Sequence, residues 1–376
     1  CDRRLLHLGT HGPFVTHRML PLTQPPNSVC LLRLSAIGDT CHVVPLLRTL
    51  QQAWPSTRFT WIIGQVEAKL MRLLPAVEFI TVDKRAGLGA LRRLRTTLRG
   101  REFDLLLHLQ LAVRASLIAS CVPARIKLGF DRPRARELQW LFTNGQIAAR
   151  QREHVLDSFL GFADAVGIAA RRLTWDIPLP PAAENYAAAL VPDATPTLVI
   201  SPCSSHRLRN WSVAGYAAVA DHAVRKHGMR VILAGGPSPL EREMGDAIAK
   251  VVSVPIINQI SKDTLPDMLA LLARATALLA PDSGPAHMAT MVGTPVIGLY
   301  AATNPARSGP YLSRQWCVDK YDEAARTFCG RPANELAWTR KIEVPGVMEL
   351  IPAAAVCAKL DDLLRSTTQA NNPSKT

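Results

Sequence analysis

From residue 29 onward the chain alternates short, almost unbroken apolar runs with longer stretches whose apolar positions recur every three or four residues. An apolar run too short for a helix reads as a strand buried on both faces, the mark of a parallel sheet covered by helices. In the first half such runs fall at 29–34, 58–63, 77–82, 104–109 and 125–129. The second half repeats the opening: "TLVISPCSSHRLRNWSVAGYAAVADHAVRKHGMRVILAGG" runs strand, serine-containing loop, helix, basic turn, strand, just as "VCLLRLSAIGDTCHVVPLLRTLQQAWPSTRFTWIIG" does. This repetition predicts an α/β protein of two Rossmann-like domains, with parallel sheets facing one another across a cleft.

The pattern sets the boundaries. Residues 1–27 open on cysteine, end rich in proline and lack the continuous apolar core of a secretory signal, so they read as a disordered extension with Met19 as an alternative start. The first domain is expected over 28–178, a Pro- and Ala-rich linker with one short helix over 179–196, and the second domain over 197–350. An amphipathic helix follows at 351–366 and a disordered tail at 367–376.

Composition narrows the partners. With 376 residues, 48% of them hydrophobic, the chain can bury more than one core, and a net charge of +14 points to a polyanion: nucleic acid, an anionic membrane surface or a phosphorylated substrate. Eight scattered cysteines form no Cys-x-x-Cys pair, which argues for a reduced, cytosolic setting and against a zinc site, while Cys317 and Cys329 receive no role. No apolar run reaches the roughly 18 residues that span a bilayer.

Two turns carry the candidate chemistry. In "LSAIGDTCHVVP" (34–45) a strand breaks at a turn, for which Gly38 offers backbone freedom, and Asp39 falls near a helix start, as a cap or as a base aimed into the cleft. In "APDSGPAHMATMVGTPVIGLYAATNPAR" a strand ends in Asp282, Ser283 and Gly284, and the helix then carries His287. Such a helix start exposes free N–H groups suited to phosphate. Nothing reads Gly-x-Gly-x-x-Gly after a strand, which weighs against an oxidoreductase.

The pairing of these two motifs resembles glycosyltransferase family 9, the ADP-heptose:lipopolysaccharide heptosyltransferases of Gram-negative bacteria, over about residues 28–350. The resemblance implies a GT-B fold whose last helix returns to pack against the first domain, and inverting transfer of heptose to the lipopolysaccharide inner core, without metal or cofactor. Matched position by position, it implies Asp39 as general base. It also implies a donor site of Asp282, Ser283, Gly284 and His287, with Ser204 and Ser205 approaching the diphosphate and Thr303 in the next loop. Arg209 in "LRNW" stands where the family carries lysine, and keeps a fixed charge for the leaving diphosphate. Glu241 stands where Rossmann-like domains place a ribose ligand, or is a helix-start glutamate.

Two clusters of positive charge stand out in the first half. In "KRAGLGALRRLRTTLRGR" a stripe of Leu88, Leu91, Leu94 and Leu98 predicts a helix docked on its own domain with arginines outward, and Arg125, Lys127, Arg132, Arg134 and Arg136 form a second group. The resemblance places the acceptor on this half, so Arg92, Arg95 and Arg132 become acceptor-binding candidates. It further implies a monomer at the cytoplasmic face of the inner membrane, with ADP-heptose and lipid A-linked core as partners and no nucleic acid. The rivals are a relative using another nucleotide-sugar or acceptor, a non-catalytic binder of either, and a nucleic-acid-binding α/β protein.

Overall fold

The computed structural model describes residues 20–84 and 86–370. The first sheet contains β1 (Ser28–Leu32), β2 (Arg58–Gly64), β3 (Val77–Val82), β4 (Phe103–His108), β5 (Ala124–Gly129) and β6 (Gly145–Gln146), all parallel, in the order β3-β2-β1-β4-β5-β6. Its helices are α1 (Ile37–Ala53), α2 (Gln65–Met71), α3 (Gly87–Thr97), α4 (Val113–Ser120) and α5 (Val155–Ala165). The second sheet contains β7 (Thr197–Ile200), β8 (Arg230–Leu233), β9 (Ile257–Asn258), β10 (Ala277–Pro281), β11 (Val296–Tyr300) and β12 (Val318–Asp319), in the order β9-β8-β7-β10-β11-β12. Counted from its own first strand, each sheet therefore has the same doubly wound order, with its switch point between first and fourth strands.

The central strands β1, β7, β10 and β11 are buried at every position because both faces of each sheet are covered. Val29 and Leu31 of β1 join Trp61, Leu105 and Leu107 in one core cluster, while Cys30 and Leu32 join Ile62 and Leu106 in another. The second of these takes up Leu94 of α3 and Leu98 at its C-cap, with Leu91 packed against it, so the leucine stripe docks on its own domain as predicted. The side chain of Leu88 lies outside the described residues. The first cluster continues into the second domain through Val199, Ile232 and Met268, so the two halves share apolar contact.

The helices on the second half are α6 (Pro181–Leu190), α7 (Val213–His227), α8 (Pro239–Val251), α9 (Leu265–Arg274), α10 (Gly284–Met291), α11 (Pro305–Ser308), α12 (Tyr321–Cys329) and α13 (Ala353–Ala370). The linker carries α6, whose Ala183 and Ala187 are buried in the cluster that also holds Leu269 and Leu272 of α9.

Three expectations at the ends of the chain change. Residues 1–19 of the expected extension lie outside the described residues, but 20–27 pack on the first domain: Leu22 N–H donates to the Val166 carbonyl, and Asn27 N–H to Asp104 at 2.8 Å. The expected disordered tail begins too early, since α13 runs to Ala370. Finally, α13 does not return to the first domain, as the resemblance implied; Val356, Leu360 and Leu363 sit with Tyr216, Val219 and Ala223 of α7. His222 and His227 of α7 meet Asp361 Oδ1 at 2.7 and 2.6 Å and Lys226 Nζ donates to its Oδ2, a polar clasp beside that apolar seam. Those spacings are hydrogen bonds, shorter than the separation of two ligands around a metal ion.

Candidate active site

The first wall of the cleft is the turn from β1 into α1. Asp39, third residue of α1, pairs with the guanidinium of Arg33 and accepts the Ala36 N–H at 3.4 Å, while its side chain stays one-third exposed. It thus caps its own helix and opens to solvent at once. Arg33 is held in turn, donating to the Leu109 carbonyl at 2.6 Å and lying 5.4 Å from the Phe159 ring centroid.

Gly38 serves a different purpose from the one read in the sequence. Its φ is not positive; instead, a Cβ there would lie 2.3 Å from Cδ2 of His287 on the opposite domain. Close approach, not turn geometry, requires glycine at this position.

The second wall is the turn from β10 into α10. Asp282 lies 3.9 Å from His287 Nε2 and accepts a hydrogen bond from Ser308 Oγ at 3.3 Å. Burial by itself raises its pKa, but His287, Thr303 and Arg209 outweigh burial and hold the carboxyl below its ordinary value. Ser283 is the N-cap of α10, yet its hydroxyl caps nothing and is buried without a hydrogen-bond partner. Gly284 opens the helix against Ile37 of the first domain. The helix start therefore keeps N–H groups and a hydroxyl for an anion.

Arg209 is aimed by a residue that the sequence did not flag. Its Nε donates to Glu343 Oε1 at 2.6 Å, and the guanidinium is only 13% exposed. Ser204 organises its own loop, donating to the His206 carbonyl and receiving the His206 N–H, while Ser205 is exposed. Glu241 accepts from Gly236 N–H at 2.7 Å and Ser238 Oγ at 2.6 Å, so the helix-start reading describes its present partners, beside the glycine loop after β8.

Several features were not legible in sequence. His42 of α1, His287 of α10 and His154 at the start of α5 form a chain of imidazoles across the junction, with centroids 4.5 Å apart for His42–His287 and 5.1 Å for His42–His154. His154 donates from Nε2 to the Gly309 carbonyl and accepts the Leu156 N–H at Nδ1. Burial holds His42 well below the usual imidazole value and brings His154 to about 3. Arg307 of α11 makes no side-chain hydrogen bond among the described residues and lies within electrostatic reach of both Asp39 and Asp282. Burial lowers its pKa. It is a cation set between the two carboxylate-bearing turns.

The acceptor candidates lie on separate elements of the first domain. Arg92 and Arg95 are exposed on α3, and Arg132 stacks on the Trp140 ring at 3.6 Å. Arg134 is consumed by Asp131 and by Glu153 at 2.8 Å, and Lys127 by the Ala119 carbonyl.

Two Rossmann-like sheets with carboxylate-bearing turns on facing walls are the architecture of the GT-B type. The fold agrees with solved structures: a family 9 glycosyltransferase from Veillonella parvula (TM-score 0.74, 20% identity, 90% of this chain and 97% of that one) and the Escherichia coli heptosyltransferase WaaC with ADP (TM-score 0.70, 21% identity, 89% and 99%). The chain belongs to glycosyltransferase family 9 (heptosyltransferase), whose family model matches residues 91–335. It is 37% identical over 345 residues to the lipopolysaccharide core heptosyltransferase OpsX of Haemophilus influenzae, covering 92% of this chain and 99% of that protein. It is 25% identical over 349 residues to lipopolysaccharide heptosyltransferase 3 of Escherichia coli, covering 87% and 95%.

Proposed function

We propose that the protein transfers heptose from ADP-heptose to the lipopolysaccharide inner core with inversion, acting as a monomer at the cytoplasmic surface of the inner membrane. The observation that carries this reading is the near full-length likeness to the lipopolysaccharide core heptosyltransferase OpsX. The geometry supplies a mechanism. Asp39 takes the proton from the acceptor hydroxyl as its oxygen attacks the anomeric carbon, and the bond from that carbon to the diphosphate breaks with its electron pair leaving on ADP. Arg209, the α10 N–H groups and the Ser283 hydroxyl receive the charge that develops there. Arg33 keeps the Asp39 carboxylate in one orientation, which is what in-line attack requires.

The test is an assay with ADP-heptose and deep-rough acceptors, Kdo2-lipid A and its heptosylated form, read by mass spectrometry. The expected product carries one added heptose, and UDP- and GDP-sugars give none. Transfer from another nucleotide-sugar alone would overturn the donor assignment, and no transfer to either acceptor would overturn the acceptor.

A further inference from the structure

The first domain carries an apolar surface that the cleft chemistry does not use. Among the described residues, four of the nine large exposed aliphatic or aromatic side chains fall on two adjacent elements: Val113 (46% exposed) and Leu117 (43%) on α4, Leu138 (54%) and Leu141 (57%) on the 3-10 turn Gln139–Phe142 and its N-cap. Spacings of four on the α-helix and three on the tighter turn place each pair on one side of its element. Trp140, half-buried, lies between the two leucines in sequence, and the Arg132 guanidinium sits 3.6 Å from its ring centroid.

The turn is held rigidly in this pose. Gln139 is fully buried and donates to the His108 and Gln110 carbonyls while accepting the Phe130 N–H, so it nails the turn to the ends of β4 and β5. Glu137 accepts the Val113 N–H at 2.6 Å and ties the turn to the start of α4. Glu137 and Leu138 both take left-handed conformations, with φ of 51° and 61°, which non-glycine residues adopt at a cost. The backbone is bent so that Leu138 faces solvent.

We infer that α4 and the 138–141 turn form the surface by which the protein seats on an anionic lipid bilayer, inserting Val113, Leu117, Leu138, Leu141 and Trp140 at headgroup depth. The charge around the patch fits that occupant: Arg114 on α4, Arg132 and Arg136 beside the turn, and the exposed arginines of the neighbouring α3 on a chain of net charge +14. Apolar side chains with an interfacial tryptophan and a basic rim are what a peripheral membrane surface needs. The acid of the turn, Glu137, is exposed, and its carboxylate is engaged by the Val113 N–H at the start of α4. The purpose of the surface rests on the proposed lipid-anchored acceptor, whereas the binding itself does not.

The test is sedimentation with phosphatidylethanolamine vesicles with or without phosphatidylglycerol, compared with phosphatidylcholine vesicles. Wild type is expected to co-sediment with the anionic vesicles, less so as salt rises, and Leu138→Ser/Leu141→Ser to lose at least tenfold in partitioning with an unchanged melting temperature. Val113→Ser/Leu117→Ser provides an independent pair should the first not fold. Heptosyl transfer to a detergent-dispersed acceptor is expected to survive in both pairs, so absent transfer with intact vesicle binding would sink the proposed function and leave this inference standing. Undiminished vesicle binding by both pairs would overturn it. So would a wild-type dimer that these variants dissociate, which would give the patch to a second copy.

Discussion

The two walls of the cleft are built on the same plan and do opposite work. Each is a buried parallel strand that breaks at a short turn into a helix, with an aspartate in the turn or the first helical turn. On the first wall Asp39, third residue of its helix, turns one carboxylate oxygen back to the Ala36 N–H and the Arg33 guanidinium, so that the helix start itself carries a negative group. An added phosphate would meet a carboxylate there. On the second wall Asp282 turns sideways to His287 and Ser308, and the N-cap Ser283 leaves the helix start uncapped. One wall therefore offers a proton acceptor and the other an anion cradle. The placement of one aspartate relative to the helix start decides which.

Breaking each wall separately should separate the two functions. Asp39→Asn is expected to lower turnover by about 10²–10⁴-fold, the usual range for removing a general base, while ADP affinity stays within about twofold. Asp282→Ala is expected to weaken ADP binding by about tenfold or more, because it strips His287 and the Ser283 turn of the group that orders them. Calorimetric ADP titration of both variants, set beside their turnover, checks this. Equal loss of ADP affinity in both would mean that the walls do not divide the labour.

A second change tests how the walls are held together. Gly38→Ala places a methyl 2.3 Å from the His287 ring, which is itself buried and stacked edge-on against His42. Overpacking of this kind typically costs about 1–3 kcal/mol. The variant should melt several degrees lower, and adding His287→Ala should recover part of the loss, so that the two changes couple rather than add. A Gly38→Ala protein melting like wild type would show that the contact yields freely.

How much could be read without the structure depends on how local each signal is. The longer strands were legible because a run such as Cys30 to Leu34 states its own burial, whereas the two-residue β6, β9 and β12 carry no such run; the positions of the two aspartates were legible because each lies at a strand-to-helix junction. The docking of α13 was not, since Val356, Leu360 and Leu363 declare an apolar stripe but not the face it covers. Glu343 stands 134 residues from the Arg209 that it aims, and His154 lies more than a hundred residues from both His42 and Gly309, so only folding makes them partners. Gly38 was read as a local turn residue, when its constraint comes from the other domain.

The smallest expected effect concerns the buried imidazoles, two of which knit the junction. Burial brings both His154 and His108 to about 3 and lowers His42 as well, so all three are neutral in the folded protein near neutrality. Unfolded, an imidazole titrates near 6.5. Above that pH neither state binds the proton, and these groups add no pH dependence. Between about 6.5 and 3 the unfolded chain takes up protons that the folded chain refuses, and stability falls by up to about 1.4 kcal/mol per pH unit for each histidine. His154→Gln, which keeps a donor for the Gly309 carbonyl, should remove about one third of that slope between pH 6 and 5. Urea midpoints at pH 7, 6 and 5 measure it: a variant as acid-sensitive as wild type would mean that His154 is protonated in the folded junction and that its contact with the second domain is not made by a neutral ring.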